Sequence, residues 1–136
     1  MSDSNVDIVR RGFDAFQKLD LDGFTADWRP DVVWDVRGYE NWPGDKTEYS
    51  GIAEVLAEFA HYLGTARSFE VKGHDVFALD QNRVLGLHHE YRVNEGESQP
   101  THVEIGSLYE LDLEGKVTHV EVYTGHDNAR KAAGSK

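Results

Sequence analysis

From Ser68 onward the chain alternates with a period of two, and this half leaves few folds open. Four runs have strand-like alternation: Phe69 to Leu79 (interrupted at Gly73), Arg83 to Asn94, Thr101 to Leu111 and Lys116 to Thr124. The segments between them are Asp80-Gln81-Asn82, Glu95-Gly96-Glu97-Ser98-Gln99-Pro100 and Asp112-Leu113-Glu114-Gly115. Long strands joined by short turns pair as antiparallel hairpins. Such a sheet needs a covering layer for its apolar face.

The first half of the chain supplies that layer. Val6, Val9, Phe13 and Phe16 recur at helical spacing, predicting a helix from Asn5 to Leu19 with Ser4 and Asp7 as a capping box. Asp20-Leu21-Asp22-Gly23 breaks the pattern and caps a short second helix through Trp28, stopped by Pro30. Asp31 to Val36, with three valines and a tryptophan, reads as a strand. Arg37 to Ser50, with Gly38, Pro43 and Gly44, reads as a loop carrying Tyr39, Trp42 and Tyr49. Ser50 caps a third helix with a stripe of Ile52, Val55, Leu56, Phe59 and Leu63, ended by Gly64.

The 136 residues suit a single domain over 1–136, with about 125–136 as a flexible C-terminal tail bearing Arg130, Lys131 and Lys136. With no cysteine, disulfides, thiolate metal sites and cysteine nucleophiles are excluded. A net charge of −11 with scattered Lys and Arg argues against a nucleic-acid partner. No stretch reads as a membrane span or a signal peptide, and a cytoplasmic location is expected.

Side-chain alternation sorts the strands into two faces. Leu85, Leu87, His89, Tyr91 and Val93 are grouped with Val103, Ile105, Ser107, Tyr109 and Leu111, and with Thr118, Val120, Val122 and Thr124, as the inner, helix-covered face. The outer face then carries His88, Glu90, His102, Glu104, His119 and Glu121. Imidazoles and carboxylates can bind transition metals, but no HExxH-like spacing is present, so no metal site is expected and cross-strand pairs suffice. On the inner face, His89, Tyr91, Ser107 and Tyr109 are either satisfied core groups or the polar tips of a small-molecule pocket.

The order of elements, with Phe13-Asp14-Ala15-Phe16, Asp20-Leu21-Asp22-Gly23-Phe24, Trp28 through Trp34, Tyr49-Ser50-Gly51-Ile52, Glu114-Gly115-Lys116-Val117 and Val122-Tyr123-Thr124, resembles the SnoaL-like group of the nuclear-transport-factor-2-like superfamily. That group is similar to polyketide cyclases, ketosteroid isomerase and limonene epoxide hydrolase. The resemblance implies an α+β fold, a cone-shaped, cystatin-like barrel in which a curved, mainly antiparallel sheet wraps around helices. It also implies a homodimer through the outer sheet face. The isomerase-type base falls on Val36, its oxyanion tyrosine on Gly12, the second oxyanion donor near Ser107, and the acid on the last strand at Val122. The hydrolase-type arginine falls near His89 and its partner acid near Tyr91. Asp35 is the carboxylate nearest the missing base, pointing opposite to Trp34 and Val36 unless a bulge turns it inward.

The expected activity is binding of a hydrophobic, oxygenated small molecule, with isomerisation, cyclisation, dehydration or hydration by histidine acid–base chemistry. His89, Tyr91 and Asp35 are the candidate catalytic residues; Trp28, Trp34, Val36, Ser107, Tyr109 and Val122 are the candidate substrate-binding residues. No cofactor is expected, since no glycine-rich phosphate loop is present. Missing acids at Val36 and Val122 leave a non-catalytic ligand-binding or protein-interaction module as the alternative.

Overall fold

A computed structural model describes residues 4–40, 42, 46–64, 66–94 and 96–134. Pro43, Gly44, Glu95 and Lys136, used in the sequence reading, lie outside the described residues. Helix α1 (Asn5–Gln17) starts where Ser4 accepts a hydrogen bond from the Asp7 backbone N–H, and it buries Ile8, Val9, Phe13 and Phe16. Helix α2 (Leu21–Phe24) is capped by the Asp20 carboxylate on the Gly23 N–H. It ends four residues earlier than expected. Pro30, expected to stop a helix, lies inside strand β1 (Trp28–Gly38). The parallel partner of β1 is out of register between Trp28 and Val33, so the missing proline N–H falls in an irregular stretch of the ladder.

The expected 37–50 loop is shorter than anticipated. Its first residues extend β1 and its last form β2 (Glu48–Ser50). Helix α3 (Ile52–Gly64) buries Val55, Phe59 and Tyr62. Strands β3 (Ala66–Ala78), β4 (Arg83–Asn94), β5 (Thr101–Leu111) and β6 (Val117–Thr124) form the hairpins anticipated from the period-two pattern. Gly73 takes φ of +60° where the β3–β4 register shifts, a conformation for which glycine is suited.

One six-stranded sheet runs in the order β2-β1-β6-β5-β4-β3, antiparallel except for the β1–β6 pair. Its inner face packs on α1, α2 and α3 around a core containing Phe13, Phe16, Phe24, Trp34 and Phe59.

Two expectations are corrected. The segment expected as a flexible tail includes helix α4 (His126–Gly134), which buries Ala129 and Ala133 against Leu85, Leu87 and Leu108. This second apolar cluster lies on the outer face. It explains the other correction, that β4 faces opposite to the sequence assignment. His88 pairs with Ile105, Gly86 with Ser107 and Val84 with Tyr109, so Val84, Gly86, His88 and Glu90 point inward. His89 and Tyr91, expected inside, point outward with Leu85 and Leu87. The apolar residues of β4 misled because α4 covers them, making the outer side look like a core.

Helix α4 can approach this closely because Gly106 lies beneath it; a Cβ there would collide with Ala129. Gly106→Ala should cost about 1–3 kcal/mol by overpacking. Urea unfolding should show the loss, and hydrogen exchange should show it concentrated in α4; unchanged α4 protection would refute this account.

Candidate functional site

Between the helices and the inner face of the sheet is a cavity walled by aromatic rings. Phe13, Phe16 and Phe24 come from the helices, and Trp34, Phe59 and Tyr62 from β1 and α3. The rings interlock: Phe16 stacks on Phe24 at 4.6 Å, Trp34 lies 4.5 Å from Phe59, and Trp42 stacks on Tyr62 at 5.0 Å. The remaining free space is about 30 Å³.

Polar groups enter this space from the inward residues of β4 and β5. His88 is 3% exposed and Glu90 6%. His88 Nε2 lies 2.8 Å from Glu90 Oε2. The Tyr62 hydroxyl donates to Glu90 Oε1 at 2.9 Å and lies 2.9 Å from the Tyr39 hydroxyl. In the neutral imidazole that donates from Nε2 to a Glu90 carboxylate, Nδ1 presents a lone pair. That buried Nδ1 has no hydrogen-bond partner among the described residues. The ring sits between Phe13, at 5.2 Å, and Phe16, at 5.9 Å.

Burial and the Glu90 charge push the Tyr62 phenol far up, and the same causes raise Tyr39. Burial alone raises Tyr109. All three phenols therefore remain protonated near neutral pH and are available as hydrogen-bond donors. The Arg92 guanidinium lies 4.4 Å from the centre of the Tyr62 ring, placing a positive charge over the face of the ring that holds Glu90.

Of the residues singled out in the sequence, Trp34, Ser107, Tyr109 and Val122 line the cavity. Val36 is buried in the same core. Trp28 packs 5.1 Å from Phe24 beside a separate space of about 10 Å³. His89, Tyr91 and Asp35 lie on the other face. His89 Nδ1 is 2.8 Å from His102 Nε2, the His126 ring is 4.9 Å away, and Tyr91 stacks on His102 at 4.7 Å. Asp35 is 3% exposed and accepts hydrogen bonds from the Arg37 side chain and backbone. Burial would raise its carboxyl, but the Arg37 hydrogen bonds outweigh burial and hold it below the usual range.

Sequence reasoning placed His88 and Glu90 on the outer face and did not single out Tyr62. Gly86 was the available signal. A glycine in a central strand marks close approach by another group, and a Cβ at Gly86 would meet the Phe13 ring at 2.5 Å. That contact puts Gly86 under α1 and, by alternation, His88 and Glu90 on the same side.

The curved sheet, its helices and this cavity define the nuclear-transport-factor-2-like, cystatin-like α+β fold. The model of the SnoaL-like domain matches residues 9–120, and the chain belongs to that family. Among solved structures it is similar to an NTF2-like protein of unknown function from Burkholderia pseudomallei K96243, with 20% identity, TM-score 0.76, and 96% of this chain and 97% of that chain covered. TerC co-crystallized with polyporic acid matches at 15% identity and TM-score 0.76, covering 96% and 98%. A candidate polyketide cyclase from Xanthomonas campestris pv. campestris matches at 20% identity and TM-score 0.69, covering 96% and 99%. No curated protein gives a significant sequence match. No helix among the described residues is long and apolar enough to cross a membrane.

His89 carries a pH dependence. Burial, followed by the neighbouring His126 and His102, lowers the His89 pKa below 6.5. Below about pH 6.5 the unfolded chain therefore binds more protons at this site than the folded one, so the site favours folding less as pH falls. The urea midpoint should drop between pH 7 and 5, and His89→Gln should flatten that slope. An equal slope in the variant would show that His89 does not contribute.

Proposed function

We propose that the cone cavity binds a hydrophobic, oxygenated small molecule and that His88, held by Glu90, moves a proton within it. The supporting observation is the buried His88–Glu90 pair, with Nδ1 unpartnered inside an aromatic enclosure. Histidine acid–base chemistry is retained from the sequence reading, with His88 in place of the outward-facing His89.

In this reading the aromatic walls take the apolar body of the ligand. Nδ1 accepts a proton from a carbon beside a carbonyl and returns it elsewhere, while Glu90 stabilises the imidazolium that forms between the two steps. Tyr62 fixes Glu90 through its hydroxyl. Tyr109 and Ser107, both lining the cavity, would hydrogen-bond the developing oxyanion. Isomerisation, aldol-type cyclisation and loss or addition of water share this proton traffic and need no cofactor. TerC's co-crystallization with polyporic acid and the candidate polyketide cyclases among the structural neighbours support a ligand of this kind.

A space of about 30 Å³ accommodates little more than water. A larger ligand therefore enters only when wall side chains move, the half-buried Trp42 on Tyr62 among them. The same small volume favours a second reading, in which the cone is packed core and the chain acts as an interaction module. A homodimer through the outer sheet face belongs to our proposal too. Light scattering should give twice the chain mass, and a monomer at high micromolar concentration would exclude it.

Hydroxylated aromatic ketones and polyketide-like phenols should quench the fluorescence of Trp34 and Trp42 on binding. His88→Ala should keep binding and lower turnover by about 10²–10⁴-fold, while His89→Ala leaves turnover unchanged. No quenching by any compound in the panel would favour the interaction module. Wild-type turnover in His88→Ala would remove the histidine from the mechanism.

A further inference from the structure

A second convergence of ionisable groups lies across the sheet from the cavity. Strands β1 and β6 run parallel, with Val33 opposite His119 and Asp35 opposite Glu121. One metal-ligating atom each from Asp35, His119 and Glu121 lies within 4.8 Å of the other two. Asp35 is buried at the floor of this group, while His119 and Glu121 are half-buried around it. All three stand on paired strands rather than loops, with Asp35 and Glu121 in register just before the ladder shifts, which limits how far their backbones can drift apart.

Two carboxylates and one imidazole are the donors of a site for a first-row divalent ion. At tetrahedral angles, ligand distances of about 2.0–2.2 Å place neighbouring donor atoms about 3.3–3.6 Å apart. The present spacing of up to 4.8 Å therefore has to contract by roughly an ångström on metal binding, a shift that falls to the half-buried His119 and Glu121 side chains.

Arg37 is the cation now serving this group. Its Nη2 lies 2.6 Å from Asp35 Oδ2, and its Nε is 3.1 and 3.0 Å from the two oxygens. The Arg37 side chain is 67% exposed, against 4% for Asp35. The exposed partner is the one able to leave. Glu48, opposite Asp35 on β2 and already acting on the Arg37 charge, offers the guanidinium another carboxylate.

We propose that Asp35, His119 and Glu121 form a binding site for a divalent zinc or manganese ion, with Arg37 as its built-in competitor. The sequence reading expected no metal because it sought a local motif. These ligands come from two strands far apart in the chain and adjacent in the sheet.

Zinc titrated calorimetrically into the full chain should bind with one-to-one stoichiometry. His119→Ala and Glu121→Gln should each weaken binding at least about tenfold, the scale on which even outer-shell partners act. Arg37→Gln should tighten binding by removing the competitor. Manganese added to the unsubstituted chain provides a check without any variant: paramagnetic broadening should be strongest at the His119 imidazole. Absence of zinc binding, binding unchanged in His119→Ala, or broadening centred on His89 and His102 would overturn the proposal. Weaker binding in the folded Arg37→Gln variant would refute the competitor role.

Discussion

Strand β4 is covered on both faces, and most of the architecture depends on that double burial. On the inner side the Phe13 ring occupies the space a side chain at residue 86 would need. On the outer side Leu85 and Leu87 pack with Ala129 and Ala133 of α4. Each contact requires a glycine, Gly86 inside and Gly106 outside, and each brings a helix close to the sheet. Without α4 the outer face would expose Leu85, Leu87 and Leu108 together, the kind of apolar patch that invites association.

Burial makes the inner polar groups consequential. A carboxylate such as Glu90 is costly in a wall of aromatic rings unless every oxygen finds a donor. Tyr62 supplies one oxygen and His88 the other. The arrangement is satisfied at Glu90 and unsatisfied one bond network further on, at His88 Nδ1. An orphaned buried nitrogen is destabilising for a core and useful for a site, since a bound ligand can satisfy it. Tyr39 and Tyr62 extend the network toward the half-buried end of the cone, where Trp42 donates from its indole nitrogen to Tyr49.

The sequence made the scaffold legible where the physics is local. Ser4 and Asp20 announced their helices, and β5 spans the same residues, Thr101–Leu111, that its alternation predicted. Family membership was also legible, from the order of weak motifs. The inward placement of Ser107, Tyr109 and Val122 followed from alternation on strands whose outer sides are largely polar. The same rule failed on β4, because apolarity reports burial without saying which layer does the burying. The helix responsible, α4, is short and rich in alanine and charge, and its stability comes from docking rather than from a wide apolar stripe. Asp35 shows a related limit. Alternation correctly turned it away from Trp34, yet gave no sign that Arg37 would shield it from solvent.

His126 links the two faces. His126, the first residue of α4, donates from Nε2 to the His88 backbone carbonyl at 2.9 Å. Its own backbone N–H is satisfied by Glu104. The helix that buries the outer leucines is thereby tied to the strand position that carries the cavity imidazole. Docking of α4 is thereby fixed next to the strand position whose imidazole lies between Phe13 and Phe16. That bond leaves the crowded rings of His89, His102 and His126 one backbone carbonyl away from the strand position of the cavity imidazole.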